Sequence, residues 1–495
     1  MRGSAVPILP RPGENRKPTP RPAPRVQADA HPTDEPARTR RRRGRTGDEP
    51  FIARVVNDWW TRLLEAVFEG SLSEQEERYA SHLGRRDYVW NTLGTSSWGL
   101  TFPALTVVAT QLAGVEEAGM FSMAFIVGTL LMIAVYYGVR TFQVSDLDEA
   151  CSFASYQAHR AAIALIAAVA GVLYVAVRGY DAQMAIICAG VFIYKIVDGI
   201  ADVYEGRLQQ ADKLYLAGIS QTVRSVGAVA AFALALLVTR SLAVASVVMA
   251  VAAVASLGLL SAPLALLETD KSRPVAASEV GLIFRQCFPL FCALFLFNLI
   301  ESVPKFVMEG ALAYENQLYF NALYFPAQGI LLTVGALYKP QLLRLASIWA
   351  NPRKRRRFNL IIVAVMAVIA AITAVMALVM HAVGLPLMSI LYGVDFSRFA
   401  LLSFLMIVAG GITAGIDFLY AVIAILRRQD GVIRLYLIAT AAALVLSLVL
   451  VNLLGLAGAV WSYLATMAVL FALIALEYGR IQRTIARERN PFRDR

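Results

Sequence analysis

Twelve times between residues 88 and 478, a block of roughly twenty apolar residues gives way to a short polar break, and that repetition decides what this chain can be. An α-helix rises about 1.5 Å per residue, so such a block spans the ~30 Å hydrocarbon core of a bilayer. The blocks run at 88–111, 117–139, 158–178, 182–204, 214–239, 242–267, 285–312, 316–338, 358–382, 398–425, 432–453 and 456–478. They are continuous rather than alternating, which excludes the short two-residue-period strands of a membrane β-barrel. Composition agrees: 58% of residues are hydrophobic, 16% are charged, and the mean hydropathy is +0.59, well beyond what a soluble domain requires. The sequence predicts an all-α integral membrane protein with about twelve transmembrane helices.

Basic residues are retained on the cytoplasmic side of a membrane. Alternate loops carry Arg140, then Arg207 and Lys213, then Lys271 and Arg273, then "NPRKRRR" at 351–357, then Arg427 and Arg428. The intervening loops are nearly bare, with Arg178, Arg240 and Arg398 as exceptions. Both termini are therefore expected in the cytoplasm.

Residues 1–50 are rich in Pro and Arg and are expected to be a disordered basic tail that attracts lipid headgroups rather than nucleic acid. They contain no apolar h-region of a signal peptide. Residues 51–87 form an amphipathic segment and linker. In "FIARVVNDWWTRLLEAVFEG" (51–70), apolar residues recur at helical spacing while Arg54, Asp58, Arg62 and Glu65 take the other side. This segment is read as an interfacial helix on the inner leaflet, with packing against the membrane body or self-association as the alternative.

Signatures of covalent chemistry are missing. Cys151, Cys188, Cys287 and Cys292 make no CxxC pair, His31, His82, His159 and His381 are scattered, and there is neither an HExxH motif nor a P-loop. A bond-making enzyme and an ATP-driven pump are both disfavoured, and no metal or cofactor is expected beyond a coupling proton or Na+.

The helices divide into two sets of six. Residues 88–267 form an N-lobe, 268–284 a cytoplasmic linker beginning "ETDKSRPVAASEV", 285–478 a C-lobe, and 479–495 a basic tail. Two halves of six fit the parallel-repeat plan of secondary transporters, whose substrate site lies between the halves. Short echoes agree, such as "GVRTFQ" (138–143) after helix 2 and "GALYKPQ" (335–341) after helix 8.

Charges inside the apolar blocks locate candidate function, because an ionisable group at the bilayer centre costs about 2.5–3.5 kcal/mol on insertion scales. Helix 7 carries Glu301, Lys305 and Glu309, four residues apart and so on one face. They read either as cavity-facing groups or as a self-neutralising packing ladder. Pro304 in helix 7 and Pro103 in helix 1 are candidate hinges. Helix 4 carries Lys195, Asp198, Asp202 and Glu205, helix 5 Arg224 and helix 10 Asp417. Lys195 and Asp198 read as an i,i+3 pair, and Asp202 and Glu205 as solvated. Arg224 either pairs with Asp198 or faces a lumen. Helix 1 is polar in its first half, with Asn91, Ser97 and Trp98, and facing helix 7 it would give a hydrated cleft suited to an anionic, sugar-bearing substrate.

From about 85 to 480 the chain resembles the polysaccharide transporter, or O-antigen flippase-like, family of the multidrug/oligosaccharidyl-lipid/polysaccharide exporter (MOP) superfamily. The resemblance rests on "YYGVRTFQVSD" (136–146), "DVYEGRLQQADKLYLAG" (202–218), "NQLYFNALYFPAQGILLTVGALYKPQLLRLASIW" (316–349) and "GLPLMSILYGVDFS" (384–397). In the last, Gly384, Pro386, Leu391, Tyr392, Gly393 and Asp395 resemble the loop after the ninth helix of these flippases.

That resemblance implies two six-helix lobes around a V-shaped cleft, alternating access by lobe rocking, and a bacterial plasma-membrane location. The implied substrate is an undecaprenyl-pyrophosphate-linked oligosaccharide, with membrane lipids and a glycan polymerase or glycosyltransferases as further partners. Basic cleft residues of the family are matched best by Lys305 and Arg140, while Glu301 and Glu309 fit that pattern less well. The candidate cleft is Lys305, Arg140, Glu301, Glu309, Asn91, Ser97, Trp98 and Arg224, with Glu301, Asp417 and Asp198 as coupling candidates. The competing readings are a cation-coupled multidrug exporter of the same superfamily, a peptidoglycan-precursor flippase, some of which have two extra helices, and a non-transporting scaffold for glycan assembly.

Overall fold

Backbone N–H and C=O groups find no water inside a bilayer, so each spanning segment must satisfy them internally, as a helix does. The computed structural model describes residues 83–489 apart from 147–148, 340–341, 343–344, 346–347, 350–354 and 427–430. The basic tail at 1–50 and the amphipathic segment at 51–70 lie outside the described residues. Among the described residues there is no β-strand.

Among the described residues, six long helices precede the connection at 269–276: α1 (Leu83–Ala113), α2 (Val115–Tyr136), α3 (Phe153–Arg178), α4 (Ala182–Gln210), α5 (Leu214–Thr239) and α6 (Leu242–Glu268), with a short helical turn at Val139–Ser145 after α2. The second set is α7 (Ala277–Ala311), α8 (Glu315–Tyr338), α9 (Arg355–Val379, continuing through a π turn to Tyr392), α10 (Ala400–Ile425), α11 (432–454) and α12 (456–489). The last two join at Gly455, whose φ of 59° and ψ of −132° interrupt an otherwise continuous helix. Among the described residues, ten helical segments are long and apolar enough to cross a membrane. The last of them is the α11–α12 pair, and α1 is not among the ten because its first half is polar. The chain is a multi-pass membrane protein.

The two sets pack by one plan. In the first, α1 lies on α5, α2 on α4, and α4 on α6. In the second, α7 lies on the α11–α12 hairpin, α8 on α10, and α10 on that hairpin. Contacts between the sets run mainly through α2, which touches α7 and α8, and through α3, which touches α7. Accordingly α2 is buried along most of its length, whereas α9 turns most of its apolar surface outward, as a lipid-facing helix does.

Two expectations change. The stretch "GLPLMSILYGVDFS" is not a loop: residues 384–392 complete α9, and the chain turns only at Gly393, with φ of 66°. Asp202 and Glu205 are buried, not solvated, because arginines from neighbouring helices reach them. Pro103 and Pro304 lie within α1 and α7.

Candidate functional site

The end of the bundle that carries 269–276 is termed the linker end, and the opposite one the far end. Midway between them, α1, α2 and α4 from one set and α7 and α8 from the other enclose a cavity of about 270 Å3. Polar lining comes from Thr95, Lys195, Asn298, Glu301, Lys305, Asn321 and Gln328, set among Trp98, Phe102, Phe125 and Tyr324.

Two lysines stand out because, among the described residues, neither has a carboxylate within ion-pair distance. Lys195 on α4 is 4% exposed, and its Nζ lies 4.1 Å from the ring centre of Phe125, 5.4 Å from Tyr194 and 5.5 Å from Trp98. Lys305 on α7 is 6% exposed, with Nζ 4.3 Å from the ring of Tyr324 and 5.8 Å from Phe320. Aromatic faces attract ammonium groups by about 2 kcal/mol when desolvated, and Lys195 also donates to Met132 Sδ at 3.9 Å, but neither a ring nor a thioether is a charged acceptor. Glu301 accepts a hydrogen bond from Tyr463 at 3.2 Å. Asn321 donates to the Gln317 carbonyl at 2.7 Å, while its own Oδ1 is buried without a donor among the described residues.

The helical repeat does not make a ladder of Glu301, Lys305 and Glu309, since none of the three is ion-paired with another. Glu309 lies at the far end, where Arg178 reaches it at 2.7 Å, Tyr174 donates to it at 3.1 Å, and Tyr180 donates to it as well. This joins the end of α3 to the end of α7. Beside it Gly119 of α2 sits so close to the Tyr314 carbonyl that a Cβ would overlap it. Gln111 of α1 donates to the Leu391 carbonyl at 2.8 Å, and the hydroxyls of Thr106 and Tyr392 are 3.2 Å apart. The far end is thereby sealed between the two sets. Toward the linker end the lining residues Thr95 and Leu332 are exposed, whereas Lys305 and Asn321 are buried, so the cavity opens in that direction.

Arg140, Arg224 and Asp198 belong to a buried ion network behind the cavity. Asp198 accepts from Trp98 Nε1 at 2.5 Å and pairs with Arg224 at 2.8 Å. Arg224 also pairs with Glu205 at 2.7 Å, Arg140 bridges Glu205 and Asp202 at 3.4 and 2.9 Å, and Arg160 meets Asp202 at 2.9 Å. Three guanidiniums thus balance three carboxylates, and the expected Lys195–Asp198 pair gives way to this network. The indole of Trp98 is shared: its N–H faces the network and its ring faces Lys195.

The remaining candidates are dispersed. Ser97 donates to the Gly94 carbonyl at 3.0 Å within α1, and Asn91 lies where α1 meets Gly218 of α5. Asp417 accepts from Tyr338 at 2.6 Å and lies 3.7 Å from Lys339. Among the sequence candidates, Trp98, Glu301 and Lys305 line the cavity. Sequence reading missed Lys195 as a lining group because Asp198, one turn away, offered it a local partner. No cluster of metal-ligating side chains occurs among the described residues.

No protein-family model matches this chain, and no curated protein matches it by sequence. Solved structures do match. The lipid II flippase MurJ in an inward closed conformation aligns with a TM-score of 0.58 at 10% identity, over 79% of this chain and 87% of MurJ. A multidrug resistance MATE family transporter of the MOP superfamily, inward-facing, gives 0.56 at 13% identity, over 80% and 96%. A MOP superfamily transporter from Pyrococcus furiosus, described as having a binding pocket of reverse polarity, gives 0.53 at 13% identity, over 80% and 95%. At these identities the likeness is one of fold, and the fold is that of MOP superfamily transporters.

Proposed function

We propose that this protein is a flippase that carries a lipid-linked oligosaccharide of the undecaprenyl-pyrophosphate type from the inner to the outer leaflet of a bacterial plasma membrane, for cell-surface polysaccharide assembly. The observation that supports this most is the pair of buried lysines, one from each half, facing a common cavity without a carboxylate on either. A phosphate group offers both ammonium groups the charged acceptors that aromatic rings cannot. At about 270 Å3 the cavity is small for a ligand pocket and takes the phosphate-bearing part of a headgroup rather than a whole oligosaccharide.

In this reading the headgroup enters from the linker end, on the cytoplasmic side by the basic-loop rule, while the prenyl tail stays in lipid. Lys195 and Lys305 exchange aromatic faces for phosphate oxygens. The halves then rock about α2, the contacts around Glu309 part, and the headgroup leaves at the far end. Glu301, one turn before Lys305 on α7 and outside ion-pair distance of it, is the candidate to take a coupling proton.

Glu301 among Trp98, Phe102, Phe125 and Tyr324 also favours a second reading, export of cationic aromatic drugs, since that lining suits a positive, planar ligand. Surface-glycan export and drug accumulation, measured side by side in a strain lacking the gene, separate the two. The flippase reading expects glycan export to fall when Lys195 or Lys305 becomes Ala at matched protein levels, with drug accumulation unchanged. Normal glycan export in both variants would sink it.

A further inference from the structure

A second cavity, of about 420 Å3, lies away from the central one toward the linker end, between α8, α9 and α10 and the residues Leu342, Leu345 and Ile348 that follow α8. Its walls include Val334, Leu345, Ile361, Val365 and Ile369, and among the described residues Arg357 is the one charged group lining it. Tyr338, also in the wall, directs its hydroxyl to Asp417, so it makes no demand on an occupant. Asp417 is in turn offset by Lys339. Leu337 and Val368, at 56% and 47% exposed, open the cavity sideways to the lipid-facing surface.

We propose that this cavity is a binding site for an anionic phospholipid of the surrounding bilayer, with an acyl chain in the apolar walls and the phosphate on Arg357. An apolar cavity of this kind stays dry in water and gains from hydrocarbon. Charge complementarity selects the headgroup. In the sequence Arg357 closes the basic run 353–357, and runs of four or more basic residues next to a spanning segment attract anionic lipid. The occupant is a bilayer phospholipid and not the transported substrate, because the walls continue onto the outer lipid-facing surface of α9. A lipid seated there would brace α9, which otherwise presents most of its surface outward.

Native mass spectrometry of the full-length protein in detergent, titrated with phosphatidylglycerol and with phosphatidylcholine of matched chains, tests this. The basic tail also attracts anionic lipid, so the comparison is between variants of the same full chain. The protein is expected to prefer phosphatidylglycerol, and Arg357→Gln to reduce that preference about tenfold, one charge-assisted contact, while Arg357→Lys keeps most of it. Val365→Trp, which fills the cavity, is expected to weaken binding of both lipids alike. Parent-like binding in either Arg357→Gln or Val365→Trp overturns the site. Tight binding of undecaprenyl phosphate with no binding of phosphatidylglycerol overturns it too, by making the cavity a substrate-tail site.

Discussion

Lys195 on α4 and Lys305 on α7 approach one cavity from opposite halves of the protein, each held against an aromatic ring at 4.1 and 4.3 Å rather than against a carboxylate. Such a group is costly to fold. Desolvating an ammonium takes several kcal/mol, and a ring face returns about 2 kcal/mol.

Lys195→Met therefore has opposite effects on stability and transport. It is expected to raise unfolding stability in detergent by about 1–3 kcal/mol, and to lower transport at least about tenfold. Thermal unfolding and glycan export of the same preparation check both. A destabilised variant would mean that Lys195 has a structural partner.

Arg224 should behave in the opposite way, because both its carboxylates are buried. Arg224→Ala leaves Asp198 and Glu205 without their shared cation and is expected to cost about 3–5 kcal/mol. Adding Asp198→Asn to it should recover part of that loss, since one uncompensated charge is removed. A double-mutant cycle by thermal unfolding measures the coupling, and additivity would remove Asp198 from the network.

The seal at the far end depends on Glu309. Glu309→Gln keeps the shape but loses the charge facing Arg178, which weakens closure by about 1–2 kcal/mol, or roughly tenfold in the open population. Asn321→Cys, in a Cys292→Ser background, reports this as faster labelling by an impermeant thiol reagent from the far side. Equal labelling rates with and without the Glu309→Gln substitution would show that the contact does not gate that end.

Gly119 tests the same closure by sterics. Valine there would collide with the Tyr314 carbonyl, a backbone atom that cannot rotate away. Gly119→Val is expected to hold the far end open, with fast labelling of Asn321→Cys from that side and loss of transport. Slow labelling with normal transport would contradict the proposed seal.

The fold was legible because hydrocarbon imposes a single length and a single conformation on each apolar block, so 182–204 or 214–239 could be read as helices without knowing their neighbours. Part of the candidate cavity's lining was legible for a related reason: Glu301 and Lys305 interrupt an apolar run, and Trp98 sits in the polar half of α1. What could not be read was partnership across helices. Asp198 is three residues from Lys195 in sequence, yet Arg224 and Trp98 hold it. Glu309 shares a helix face with Lys305, yet the ends of α3 and α7 meet around it. Local spacing lists the available partners, and packing between helices chooses among them.

Service of the two lysines in transport of an anionic lipid-linked glycan is tested most directly in liposomes. The full-length protein is placed in vesicles carrying an undecaprenyl-pyrophosphate-linked oligosaccharide, and glycan accessibility at the acceptor leaflet is followed for the parent and for Lys195→Met combined with Lys305→Met. The predicted result is protein-dependent appearance of the glycan, reduced at least about tenfold in the double variant. A parent indistinguishable from protein-free liposomes, or a double variant as active as the parent, would contradict it.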